Sequence, residues 1–152
     1  MYKEVFFLNF LELIKMKYGS IILEKKEFVY LKRILNISGY AEDHETQKCL
    51  ITLANELKSA HIVDDSEMPK DVIRFNSRVT LVLENGIEKE LQLVIPSERD
   101  IQLNKISILT PMGSALIGYS TDDTIIWDFP SGKQKIKIID VEQEGKFRTI
   151  EI

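Results

Sequence analysis

The sequence predicts an α+β fold with its helices first and its sheet second, and three observations carry that expectation. Apolar residues recur at helical spacing from Lys25 to Ala60, and mostly at alternate positions from Asp71 onward. An Asn85-Gly86 pair stands between two alternating runs, the strongest short-range hairpin signal. A Thr110-Pro111 pair then opens one short small-residue segment inside the strand-rich half. The expected architecture is a short antiparallel helical hairpin, followed by an antiparallel sheet domain with one short helix.

The elements follow in chain order. Residues 1–15, MYKEVFFLNFLELIK, are apolar, but they fall short of the ~20 residues of a membrane span, and Asn9 and Glu12 interrupt them. No small-residue cleavage site follows. Phe7, Leu11 and Ile14 stand at i, i+4 and i+7, so this N-terminal extension reads as an amphipathic helix packed on the body or on a partner. Met16 would serve equally well as a start.

Residues 16–64 are expected to form the hairpin arm. KKEFVYLKRIL places Phe28, Leu31 and Leu35 on one stripe, with Lys25, Lys32 and Arg33 mostly elsewhere. HETQKCLITLANELKSA repeats Thr46, Leu50, Leu53, Leu57 and Ala60 at spacings of four and three, a short heptad seam. In the loop between them Gly39 suits a helix C-terminus and Asp43 an N-cap, a cap being worth ~1 kcal/mol. The arms should be roughly 16 and 25 Å long.

Residues 65–152 form the expected sheet domain. A connector hinged at Pro69 leads to Val79, Leu81 and Leu83, which alternate on one side of the Asn85-Gly86 turn, with Leu91, Leu93 and Ile95 on the other. NKISIL is the next strand. Thr110 can cap the short helix, Pro111 can take its first position where a missing N–H costs nothing, and Gly118 can end it. TIIWDF, the turn PSGK and KIKIIDVE make the last hairpin.

The bulk numbers bound the function. At 152 residues and 17.6 kDa the chain is one ordinary domain, or a domain with a small appendage. A chain of that size buries ~68–70% of its unfolded surface. Its 44% hydrophobic and 29% charged residues describe a globular protein. A net charge of −4 argues against a general nucleic-acid coat, which needs Lys and Arg to displace counterions from phosphates. The one cysteine, Cys49, permits no internal disulfide and reads as a half-buried core thiol, which fits a cytoplasmic protein.

The motifs suggest no catalyst. His44 and His61 have no Cys or carboxylate at ligand spacing, so neither a metal nor another cofactor is expected. Ser77, Ser114 and Ser131 lack a nucleophile-elbow context. Ser131-Gly132-Lys133 lacks the upstream glycine and following helix of a phosphate loop. Asp122-Asp123 reads as a turn. The acidic cluster Glu42, Asp43 and Glu45 reads as the opening of a helix, where carboxylates favour the dipole, with partner contact as its functional alternative.

One long stretch, TPMGSALIGYSTDDTIIWDFPSGKQKIKIIDVEQ, resembles the C-terminal domain of the bacterial Gre transcription elongation factors. In those proteins a Ser-Pro helix of small residues precedes a Gly-Asp-rich turn, a strand, a Pro-Gly-Gly turn and a last strand. The likeness runs from about Asp71 to Gln143. EMPKDVIRFNSRV resembles the connector of a smaller relative, the regulator of nucleoside diphosphate kinase. The resemblance implies an FKBP-like C-terminal domain, a helical arm, and a monomer that binds RNA polymerase at the rim of its secondary channel. It implies that Thr110, Pro111, Met112 and Gly113 lie on the docking edge. Leu109 stands where cleavage-competent members carry an acidic or polar residue.

Those members also hold a second Mg²⁺ with an Asp-x-x-Glu arm tip, where two metals clamp an in-line attack at phosphorus. Here the tip offers Glu42, Asp43 and Glu45 without that spacing, on an arm about half as long, so it would end ~25 Å short. The expected function is therefore a regulator that binds polymerase, competes with cleavage factors and does not itself stimulate cleavage. An active cleavage factor using the acidic tip is one alternative. The other is an FKBP-like prolyl isomerase, whose pocket would draw on Phe75, Tyr119, Trp127 and Phe129; a fold alone carries no activity.

Overall fold

The computed structural model describes residues 16–37, 44–129 and 132–145, without the side chains of Glu45 and of residues 127–129. The expectations placed on residues 1–15, on Gly39, Glu42 and Asp43, and on the side chains of Glu45, Trp127, Phe129 and Ser131 lie outside the described residues.

The chain enters through β1 (Ile22–Glu24) and continues directly into α1 (Lys25–Ile37). The Glu24 carboxylate makes that junction, accepting the Lys26 and Glu27 amides at 2.9 and 3.0 Å, so a side chain satisfies two N–H groups that the helix cannot. α2 (His44–Leu57) follows. It ends three residues before the expected Ala60, because the Lys58, Ser59 and Ala60 amides tighten onto carbonyls three residues back. With 13 and 14 residues the helices are about 20 and 21 Å long, more nearly equal than the sequence suggested.

β2 (His61–Val63), expected as part of a plain connector, lies parallel to β1 in a separate two-stranded sheet. A second sheet of five strands has the order β5-β4-β3-β7-β6, made of β3 (Arg78–Leu83), β4 (Glu88–Val94), β5 (Lys105–Ser107), β6 (Thr124–Phe129) and β7 (Gly132–Glu142). Its pairs are antiparallel except β4 with β5, which run parallel. This corrects the all-antiparallel expectation. The connection through residues 95–104, with 3-10 turns at Pro96–Glu98 and Ile101–Leu103, carries the chain back to the start of the sheet edge before β5 begins. The Asn85-Gly86 hairpin forms, but Gly86 alone takes positive φ, and Leu83 spans the loop to Ile87. α3 (Pro111–Leu116) is the short helix.

One continuous core joins the helices to the sheet. Leu31, Ile34, Leu53 and Leu57 belong to the same buried cluster as Val79, Leu81, Leu93, Leu116, Ile117, Ile136 and Ile138. Each such side chain contributes about 1.5–3 kcal/mol when fully buried. Cys49 is 2% exposed, fully buried rather than half-buried, because α2 faces the body as well as α1.

α1 also sits rotated from its expected stripe: it buries Glu27, Tyr30, Leu31 and Ile34, and leaves Phe28 and Leu35 half-buried at the edge. The reason is polar. The Glu27 carboxylate accepts the Arg74 Nε–H at 2.8 Å and the Phe75 amide at 3.1 Å, which draws that face inward. Burial pushes the Glu27 carboxyl above its ordinary range against the opposing pull of Arg74 and the Phe75 amide.

Candidate functional site

The expected docking residues lie where the edge of the sheet gives way to α3. Ile108 remains tied to the sheet through its amide and the Val94 carbonyl at 3.0 Å. The chain then turns sharply about Ser107. The Ser107 carbonyl accepts the Thr110 amide at 3.0 Å and the Thr110 hydroxyl at 2.7 Å. The Ser107 hydroxyl accepts the Leu109 amide at 3.1 Å.

Thr110 is the N-cap that the sequence predicts. Its Oγ1 accepts the Gly113 amide at 3.1 Å, and Pro111 occupies the first helical position. Thr110 thus ties the helix start to the strand end with one hydroxyl that donates and accepts. Gly113 is required by space: a Cβ there would stand 2.1 Å from the Ser107 carbonyl oxygen. That contact brings α3 against β5, which neither periodicity nor motif reveals.

Thr110, Pro111, Met112 and Leu109 are half-buried; Met112 and Leu109 also pack on the core. Gly113 and Ser114 are buried, and the Ser114 hydroxyl donates to the Pro111 carbonyl at 3.0 Å. The structure therefore brings Thr110, Pro111 and Met112 together on one held loop and places Gly113 beneath it.

The exit of α3 is bonded to β1. Gly118, at φ +82, accepts the Ile22 amide through its carbonyl and donates to the Ile73 carbonyl, both at 3.0 Å. A Cβ at Gly118 would meet Ile21 at 2.8 Å. The adjoining turn, expected from Asp122-Asp123, is more than a turn. Asp123 is buried, with Oδ2 accepting the Ser120 amide at 2.8 Å and Oδ1 the Lys17 amide at 2.6 Å. Lys17 and Tyr18 both bond Asp71, at 2.5 and 2.8 Å. Burial opposes them, yet these partners hold the Asp71 carboxyl below its ordinary range.

Tyr119 and Glu56 link α2 to the segment after α3, a contact that the sequence reading missed. The Tyr119 hydroxyl donates to Glu56 Oε1 at 3.0 Å, while Glu56 Oε2 is buried with no partner. Burial pushes the Glu56 carboxyl up to about 7, with the Tyr119 bond opposing. Burial, reinforced by the Glu56 charge, raises the Tyr119 hydroxyl well above its usual range.

Two of the four aromatics considered for an isomerase pocket are core residues: Phe75 is 2% and Tyr119 7% exposed. Phe75 stacks edge-on with Tyr30, with centroids 5.4 Å apart. Ser77 is buried and bonded to Gln143 and Arg74. Among the described residues no group of three or more His, Cys, Asp or Glu is arranged to hold a metal ion, and no helix is long and apolar enough to cross a membrane.

The family model for the transcription elongation factor GreA/GreB C-terminal region matches residues 68–143. The chain is 39% identical over 94 residues to the transcription elongation factor GreA of Pelobacter propionicus, covering 60% of this chain and 59% of that one. It is 34% identical over 99 residues to GreA of Clostridium botulinum, covering 64% and 62%. The chain thus spans about three-fifths of the length of these curated relatives. A solved prokaryotic transcription elongation factor GreA/GreB from Nitrosomonas europaea aligns with TM-score 0.65 and 32% identity, covering 82% of this chain and 98% of that one. With half of its residues inside the family model and the solved relative matched almost end to end, the chain belongs to the GreA/GreB family of transcription elongation factors.

Proposed function

We propose that the protein regulates elongation by binding RNA polymerase at the rim of its secondary channel through Thr110, Pro111 and Met112, with Gly113 supporting them from beneath, and without stimulating transcript cleavage. The loop at Ser107–Gly113 carries this reading. It lies in the family-matched region, and two hydroxyls and a glycine contact hold it rigid, so docking would cost little ordering entropy.

The two helices, about 20 Å each, support a short antiparallel arm over residues 16–64, with Glu42, Asp43 and Glu45 at its tip as partner contacts. The five-stranded sheet with its one short helix supports an FKBP-like domain over residues 65–152. A protein of this kind would occupy the same rim as longer cleavage factors and compete with them.

The test is binding of the monomeric protein to core RNA polymerase at moderate salt, wild type beside Pro111→Asn. Asparagine is tolerated at a helix start and leaves the Thr110 cap in place, so the variant should fold and bind markedly less. Equal binding would remove the loop from the interface. Shortening of the transcript in a backtracked complex would overturn the non-cleaving assignment.

A further inference from the structure

Glu56 stands at a joint on which the seating of α3 depends. α3 has only six residues, about 9 Å, so its entrance at Thr110 and Pro111 and its exit before Tyr119 are seated by the same packing. α2 packs against it, and Leu53, Leu57, Ala115 and Leu116 share one buried cluster. The Tyr119 main chain is fixed, its amide bonded to the Leu116 carbonyl at 3.2 Å and its carbonyl to the Ile73 amide at 2.8 Å. The Tyr119 hydroxyl then donates to Glu56 Oε1, while Oε2 is buried without a partner among the described residues. A protonated carboxyl is tolerated in such a place; a carboxylate there is a desolvated charge that one hydroxyl does not offset. The elements packed on α2 supply no compensating cation. α3 has no titratable side chain. On α1, Lys25, Lys26, Lys32 and Arg33 are exposed and none of them offsets the Glu56 charge, while Glu27 is held by Arg74 and Tyr30 packs on Phe75. Asp123, at the start of β6, adds a negative charge that acts on Tyr119. On its own element Glu56 is half-buried, with Asn55 and Lys58 exposed beside it, so a small displacement of the end of α2 brings the carboxylate to water.

We propose that Glu56 is a proton-operated latch: protonated, it lets α2 close on the exit of α3, and ionised, it drives the two apart and loosens the loop at Thr110–Gly113. The step is the loss of the carboxyl proton to solvent, with the carboxylate following it into water. Burial places that step at about 7, with the Tyr119 bond opposing. The latch stands without polymerase; its effect on docking rests on the function proposed above.

The test is amide hydrogen exchange of the full chain at pH 6 and pH 8, corrected for intrinsic rates, in the wild type and Glu56→Gln. With the closed carboxyl at about 7 and the hydrated one at its ordinary 4.5, the opening constant at the Ser114 and Tyr119 amides should rise about tenfold between those pH values in the wild type. It should stay level in Glu56→Gln. Tyr119→Phe removes the bond that opposes burial, so its rise should continue to higher pH. The same change in wild type and Glu56→Gln would overturn the proposal. So would protection at Ser114 and Tyr119 equal to that of the β3–β7 pair, since the joint would then open only with the whole fold. Binding to core polymerase at both pH values separates the two readings. The affinity of the wild type relative to Glu56→Gln should fall at pH 8, by at most about tenfold. An unchanged ratio in proteins that bind would overturn the effect on docking, and no binding by either protein would count against the docking function alone.

Discussion

Replacing Glu56 by glutamine should remove a fall in stability with rising pH at the joint between α2 and Tyr119. In the folded protein the Glu56 carboxyl keeps its proton up to about pH 7, whereas the unfolded chain releases it near the ordinary 4.5. Between those values the folded state binds more protons than the unfolded state. Stability from this group is therefore greatest below about pH 4.5 and declines as pH rises to about 7, where it levels off. Across the whole gap the loss approaches 3.4 kcal/mol, at about 1.36 kcal/mol for each pH unit, and about 2.5 kcal/mol of it falls between pH 5 and 8.5.

Glutamine keeps an acceptor for the Tyr119 hydroxyl and leaves its amide where Oε2 has no partner, a cost of about 1–3 kcal/mol that does not vary with pH. Urea unfolding of both proteins from pH 5 to 8.5, at equal m-values, isolates the titrating part, since every other carboxylate cancels in the difference. The stability of Glu56→Gln minus that of the wild type should rise by about 2–3 kcal/mol over the range. A difference that stays flat would refute the burial of an uncompensated carboxyl at this joint.

Three further changes test the fold around the candidate site. Thr110→Ala removes the hydroxyl that both caps α3 and bonds Ser107, and should cost about 1–2 kcal/mol in urea unfolding. Gly113→Ala puts a methyl 2.1 Å from the Ser107 carbonyl oxygen; it should cost about 3 kcal/mol or more in urea unfolding. Arg74→Met strands the Glu27 carboxylate, whose side chain is 2% exposed, and should cost about 3–5 kcal/mol by thermal unfolding, much of it recovered when Glu27→Gln is added.

Much of the α+β order was legible because its signals are local. The change of period between Ala60 and Asp71, the hairpin at Asn85-Gly86, the Thr110 cap and the Gly118 stop each depend on a few neighbouring residues, and each is found. What escaped depends on partners distant in the chain. β1 and β2 have three residues each, too few to show a period, and only their pairing defines them. Glu27 sits in KKEF like any solvated acid, and nothing nearby announces Arg74, 47 positions away. The same holds at the site: Thr110 and Pro111 are readable as a helix start, but the need for glycine at 113 appears only once Ser107 folds back over it.

The self-contained turns at both ends of β5 have a consequence for assembly. β5 is one of the two outer strands of the five-stranded sheet, and an outer strand normally offers its main chain to any passing strand. Here the Lys105 amide and carbonyl are already engaged by Asp100, at 2.9 and 3.0 Å, and the Ser107 carbonyl by Thr110. A partner meeting this border finds little unsatisfied backbone to zip onto. Recognition there must be read from side chains, and the same blockade guards this flank against the edge-to-edge stacking that seeds aggregates.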